Sequence, residues 1–193
     1  MIEYIKGPIV RITPAYLVVE TSGVGYFINI SLNTFSRLER KTEYSVLIHE
    51  VIREDTHQLF GFADNEERET FRMLISVSGV GASTARMVLS SLNPQEIAHA
   101  IAGSDVNALK SVKGIGLKTA QRIIVDLKDK IGKTSGDGEI FTISDNTGRE
   151  EALSALIMLG FAKSAVLKVL DKIVREEKNL TVEDMIRKAL KNL

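Results

Sequence analysis

Two segments of this chain join glycines to a helix start in nearly the same spelling. One is Val77-Ser78-Gly79-Val80-Gly81-Ala82-Ser83-Thr84-Ala85-Arg86. The other is Val112-Lys113-Gly114-Ile115-Gly116-Leu117-Lys118-Thr119-Ala120-Gln121-Arg122. Each reads as the apolar end of one helix, a Gly-apolar-Gly turn and the first turn of the next helix. The first N–H groups of an α-helix lack intrahelical acceptors, and the helix dipole adds partial positive charge there, so such a turn suits an anion. Gly79, Gly81, Gly114 and Gly116 have no Cβ to hold a ligand away from the backbone. Ser83, Thr84, Lys118, Thr119 and Arg122 follow within reach of phosphate oxygens. Two such turns, about a helical hairpin apart, suit two phosphates of a nucleic-acid backbone better than one small ligand. Contacts of that kind position DNA without reading its sequence. The plainer reading, a tight turn between helices, fits a single copy better than two copies with matching flanks.

Nucleotide-binding motifs fail on inspection. A P-loop needs glycine immediately before its Lys-Thr pair, and Leu117 stands there before Lys118-Thr119. The dinucleotide fingerprint fails too, because Thr119 occupies its third glycine position and no parallel-sheet pattern surrounds it. A second cluster, Arg53-Glu54-Asp55-Thr56-His57, puts two acids at the expected tip of a hairpin. Three readings stay open: a solvated turn, a carboxylate pair holding Mg²⁺ in a nuclease, or a fixed negative charge that repels phosphates.

Composition narrows the class. The 193 residues carry 25 basic and 25 acidic side chains, a net charge of zero that by itself argues against a nucleic-acid binder. The distribution answers this: residues 110–130 hold six basic residues against two acidic ones, an excess of four around the second glycine turn. With no cysteine, disulfides and thiolate metal sites are excluded and a reducing compartment fits. His49, His57 and His99 lack metal-ligand spacing. No cofactor is expected. Glu3 and Lys6 in the first turn argue against a signal peptide, no apolar run is long enough to cross a membrane, and a cytoplasmic protein is the default.

The elements that must position these residues follow from patterning. Residues 1–63 read as short strands, interrupted at Gly7-Pro8 and Thr13-Pro14, which predicts a small barrel, OB-fold or SH3-like. Leu32–Leu38 is a helical or irregular crossing. From residue 64 to 131 the pattern is helical: one helix capped by Asp64 or Asn65 and running to Ile75, then helices at 81–92, 94–102, up to Ser111, and 116–130. Residues 132–147, rich in Gly, Ser, Thr and Asp, read as a flexible linker, with a capping box at Thr147–Glu150. Residues 148–193 predict a three-helix mini-domain with helices at 151–159, 163–175 and 181–190. Its many apolar residues can leave some exposed as a partner surface.

In this order the parts resemble the RuvA family over the whole chain. The carrying residues are Val51-Ile52-Arg53-Glu54-Asp55, Leu59-Phe60-Gly61-Phe62, Gly79-Val80-Gly81, Val112–Gly116 and Lys118-Thr119-Ala120. The resemblance implies an α+β multidomain chain: an OB-fold barrel, a tandem helix-hairpin-helix domain, and a mobile UBA-like three-helix domain. It implies non-catalytic binding of four-way (Holliday) junctions in recombination, repair and the SOS response. It also implies a homotetramer or an octamer of two tetramers, the hexameric ATPase RuvB bound by the third domain, and cooperation with the resolvase RuvC. Glu54 and Asp55 match the family's acidic pin at the crossover. One departure stands out. Where the family commonly carries a basic residue just after the first glycine turn, this chain has Ala82-Ser83-Thr84, which shifts weight to Lys118 and Arg122.

Overall fold

The computed structural model describes residues 1–131, 146–177 and 180–193. The chain divides into two compact units, Met1–Gly136 and Asp137–Leu193.

The first unit opens with five strands: β1 (Tyr4–Ile12), β2 (Tyr16–Thr21), β3 (Val24–Ile30), β4 (Glu43–Ile52) and β5 (His57–Phe62). Helix α1 (Leu32–Leu38) lies between β3 and β4. They close into a barrel in the order β1-β2-β3-β5-β4. The β3–β5 pairing is parallel, Ile28 opposite Leu59, while the other pairs are antiparallel. That order, with its one parallel pair and the intervening helix, is the OB arrangement and decides between the two barrels expected. Alternating residues fill it: Leu17, Val19, Ile28, Ile30, Val46 and Ile48 are all buried. Strand β1 runs unbroken through Gly7-Pro8, contrary to the interruption expected. Pro8 pairs with Glu43 at the very start of β4, where the ladder loses little from its missing N–H. Gly7 lies so close to β2 that a Cβ would sit 2.0 Å from the Glu20 carbonyl oxygen.

Five helices follow: α2 (Asn65–Ile75), α3 (Ala82–Ser91), α4 (Pro94–Ala102), α5 (Val106–Lys110) and α6 (Leu117–Ile131). Asp64 caps α2, accepting from the Glu67 N–H at 2.8 Å, and Asn93 with Glu96 forms a capping box on α4. The barrel and helices are locked together. Phe71 packs against Phe60 and Phe62, with ring centroids 5.2 and 5.0 Å away. His49 meets the same ring edge-on, and burial, with Arg72 and Arg68 nearby, lowers its pKa. Arg86 of α3 donates to the Ala15 carbonyl at 3.1 Å and to Asn29 Oδ1 at 3.0 Å. Glu67 lies in the first turn of α2, where an acid complements the helix dipole, and it is buried. It accepts from Ser31 and, at 2.7 Å, from Thr34. Burial pushes its carboxyl above the usual range.

The second unit contains α7 (Asn146–Met158), α8 (Lys163–Glu176) and α9 (Val182–Leu190). Helix α7 already includes Thr147, so the capping box expected at Thr147–Glu150 does not open it; the rest of the expected linker lies outside the described residues. Gly160, at φ 97°, ends α7 while the Phe161 N–H bonds back to the Leu156 carbonyl. Thr181 caps α9. Leu156, Val166, Leu170, Ile173 and Met185 form the core, and Met158 and Leu159 remain exposed.

Candidate nucleic-acid interface

The two glycine turns are built alike, at a constant offset of 35 residues. In the first, the Val77 N–H bonds to the Leu74 carbonyl at 3.1 Å and the Val80 N–H to the Val77 carbonyl at 3.0 Å. In the second, the Val112 N–H bonds to the Leu109 carbonyl at 3.2 Å and the Ile115 N–H to the Val112 carbonyl at 3.1 Å. Val80 and Ile115 are buried in the shared helical core, so each turn is pinned by the apolar residue between its glycines. Gly79 and Gly114 stand at φ 90° and 93°, the left-handed region that glycine enters without penalty.

Gly81 and Gly116 are different. Neither has a positive φ, and a Cβ on either would meet open space. Nothing inside the protein therefore demands glycine there. The bare surface lies at the start of α3 and of α6. Those helices close their first bonds at Ala85 N to Gly81 O and Ala120 N to Gly116 O, both 2.9 Å. The N–H groups of Ala82, Ser83 and Thr84, and of Leu117, Lys118 and Thr119, find no acceptor among the described residues. Each turn thus presents unpaired donors at a dipole's positive end with no side chain in front of them.

The flanking side chains divide in two. Ser83, Lys118 and Arg122 are exposed; Thr84 and Thr119 are half-buried. Lys118 has no ion-pair partner among the described residues, whereas Arg122 lies 3.7 Å from Asp126 on its own helix. An exposed pair of that kind is worth little and yields readily to a phosphate.

Glu54 and Asp55 sit at the tip of the β4–β5 hairpin, both exposed, in a loop closed by the Arg53 N–H bonding to the Thr56 carbonyl at 2.8 Å. The fold brings this tip against the first glycine turn: Asp55 and Thr56 line one groove with Gly81 and Ser83. No spacing in the sequence signals that meeting, because it depends on barrel closure and on Arg86 tying α3 to Ala15, just before β2, and to Asn29 of β3. A third nearby acid, Glu50, is already engaged. It accepts the Ile2 N–H at 2.7 Å, which holds its carboxyl below the usual range, and it meets His57 at 3.2 Å. Among the described residues no cluster of three or more His, Cys, Asp or Glu could hold a metal ion. No helix among them is long and apolar enough to cross a membrane.

A closed OB barrel carrying two matched helix-hairpin-helix turns, each offering backbone donors, defines a class of proteins built to grip nucleic-acid backbones. Similarity to known proteins names the family within it. Residues 1–61 match the RuvA N-terminal domain, 71–129 the SAM-like helix-hairpin-helix tandem, and 147–193 the RuvA C-terminal domain. The chain is 54% identical over 193 residues to a protein of Christiangramia forsetii. It is 49% identical over 201 residues to one of Bacteroides thetaiotaomicron, and 50% over 202 residues to one of Porphyromonas gingivalis. Each match spans all of both chains, and each relative is named Holliday junction branch migration complex subunit RuvA. The chain belongs to the RuvA family.

Proposed function

We propose that this protein binds four-way DNA junctions without sequence specificity, holds their arms open, and acts as the non-catalytic subunit of a branch-migration complex. Its relatives carry that complex in their names. The observation that carries the reading is the pair of matched turns, whose helix-start N–H groups find no acceptor among the described residues and stand beside exposed, side-chain-free glycines. Gly79, Gly81, Ser83 and Thr84 form one phosphate site; Gly114, Gly116, Lys118, Thr119 and Arg122 form the other. In this reading residues 1–63 make the core of a tetramer, 64–131 the DNA-binding domain, 132–147 a linker, and 148–193 the docking domain for the RuvB hexamer, with RuvC acting on the same junction in the cytoplasm. Four subunits around one axis set four copies of Glu54 and Asp55 at the crossover. Strands pass that point without settling there, because carboxylates repel phosphates. Base pairs broken on one arm re-form on the next, and ATP hydrolysis on the separate motor supplies direction.

A gel-shift titration tests this with a synthetic four-way junction and a linear duplex of the same sequence. Preferential binding of the junction, in a complex whose mass corresponds to four or eight subunits, is the expected result. Equal affinity for the two DNAs overturns it. A second reading, a nuclease using Glu54 and Asp55 with Mg²⁺, predicts cleavage of a labelled junction by the pure protein. The engagement of Glu50 elsewhere disfavours it.

A further inference from the structure

The two proposed phosphate sites differ in one respect. The second residue of α6 is Lys118, which brings its own positive charge to its turn; the corresponding second residue of α3 is Ser83, which brings none. The groove beside the first turn holds a cation from elsewhere. Arg53, Asp55, Thr56 and Gln58 of the β4–β5 hairpin line it together with Gly81 and Ser83, around a volume of about 230 Å³. The Arg53 main chain is fixed by its 2.8 Å hydrogen bond to Thr56, yet its guanidinium has no ion-pair partner among the described residues, although Glu54 and Asp55 follow it directly. The groove is therefore lined by an arginine without an ion-pair partner, by Thr56, Gln58 and Ser83, and by the open start of α3, with Asp55 among them. That set of donors suits a phosphodiester.

We propose that Arg53 supplies, from the barrel, the positive charge that the first helix-hairpin-helix turn lacks, so that one backbone phosphate is held jointly by Arg53, Ser83 and the start of α3. The inference rests on the junction-binding reading and adds a residue and a location to it. Because Arg53 shares a four-residue loop with Glu54 and Asp55, this phosphate is the one next to the crossover. The Lys118 phosphate lies at the other turn. Grip and repulsion are thus built into one loop, and the Arg53 contact favours a branched substrate over a continuous one. A guanidinium also pairs with two phosphate oxygens at once, which gives the contact direction as well as charge.

The test uses the full-length protein with variants Arg53→Ala, Arg53→Lys, Ser83→Lys and the double variant Arg53→Ala/Ser83→Lys, titrated against a synthetic four-way junction and a linear duplex across a salt series. Arg53→Ala is expected to weaken junction binding about tenfold and linear binding much less. The slope of log affinity against log salt should become shallower by about 0.9 for each phosphate that is no longer neutralised. Arg53→Lys, which keeps the charge but not the two-pronged contact, should recover only part of the affinity lost in Arg53→Ala, and Ser83→Lys, which returns a cation to the turn itself, should relieve the loss in the Arg53→Ala background. Unchanged affinity and slope in Arg53→Ala overturn the proposal. So does a loss that neither Arg53→Lys nor Ser83→Lys relieves, since Arg53 would then only shape the loop. A wild-type protein that does not prefer junctions overturns instead the reading beneath it.

Discussion

Glu67 of α2 accepts a 2.7 Å hydrogen bond from the Thr34 hydroxyl of α1, at a site closed to solvent. Ser31 donates to the same carboxylate, so one acid joins the barrel's crossing helix to the first helix of the DNA-binding layer. Burial raises the Glu67 carboxyl above the ordinary carboxylate range. The sign follows from linkage: stability due to this group is fully present below the unfolded pKa and is lost as pH rises through the folded one. Glu67→Gln, which keeps the shape and one acceptor, should cost within about 1 kcal/mol at neutral pH, while Glu67→Ala, which takes the carboxylate acceptor away from the buried Ser31 and Thr34 hydroxyls, should cost about 2–4 kcal/mol. Urea denaturation between pH 4 and 8, a range that starts at the ordinary carboxylate value, checks both. The stability of the wild type relative to Glu67→Gln should fall as pH rises; a flat difference would mean that this carboxyl titrates no higher in the folded protein than in the unfolded chain.

The four turn glycines separate into two kinds of position. Gly79→Ala and Gly114→Ala force a Cβ into the left-handed region and should each cost about 1–2 kcal/mol of stability. Gly81→Ala and Gly116→Ala meet open space and should cost less than about 1 kcal/mol, mainly by weakening a helix N-cap. In the proposed reading their methyl groups stand where a phosphate approaches, so these two variants should lose junction affinity while staying folded. Thermal unfolding and gel shifts on the four variants read the two effects apart.

Lys118 is the exposed cation of the second turn, without an ion-pair partner among the described residues. Lys118→Ala should weaken four-way and linear DNA alike, by about 0.5–1 kcal/mol for each copy engaged, with no dependence on base sequence. It should also make the salt dependence shallower. Affinity unchanged at physiological salt would deny Lys118 a role at the interface. Arg122→Ala should act in the same direction, because its exposed pair with Asp126 is worth little and yields readily to a phosphate.

Sequence patterning reaches some of these residues and not others, for identifiable reasons. Local rules suffice for the glycine turns. A buried Val80 or Ile115 between glycines, a cap at Asp64 or Asn93 and a stop at Gly160 all act within a few residues. The closure of the barrel does not follow from local rules, because OB and SH3-like strands have the same period. Only the parallel partnership of Ile28 with Leu59 separates them, across 31 residues of chain. The same holds for Arg86, whose place at the end of the first glycine-turn segment gives no hint that it spends its hydrogen bonds on Ala15 and Asn29. Glu67 and Arg53 are hidden in the same way. One reads as a dipole partner and the other as the edge of a solvated turn, until packing sets α1 over α2 and the hairpin tip beside α3. Thr147 misleads in the opposite sense, since its Ser/Thr-x-x-Glu spelling is local and the helix simply starts before it.

The acids at the hairpin tip allow the sharpest separation of charge from shape. Glu54 and Asp55 are exposed, form no ion pair among the described residues, and stand beside the groove that leads to the first turn. Replacing both with glutamine keeps their size and removes two negative charges per subunit from the proposed path of the strands. Affinity for ordinary linear duplex should therefore rise if, as proposed, these carboxylates push a continuous helix away. The increase should be larger at low ionic strength, where exposed charges act over roughly 30 Å at 0.01 M salt, than at 0.15 M, where they act over about 8 Å. Selectivity for the junction over the duplex should fall accordingly. Competition binding of the Glu54→Gln/Asp55→Gln variant at the two salt concentrations reads this directly. Duplex affinity equal to wild type at both would mean that these carboxylates are solvated and do no work on the DNA.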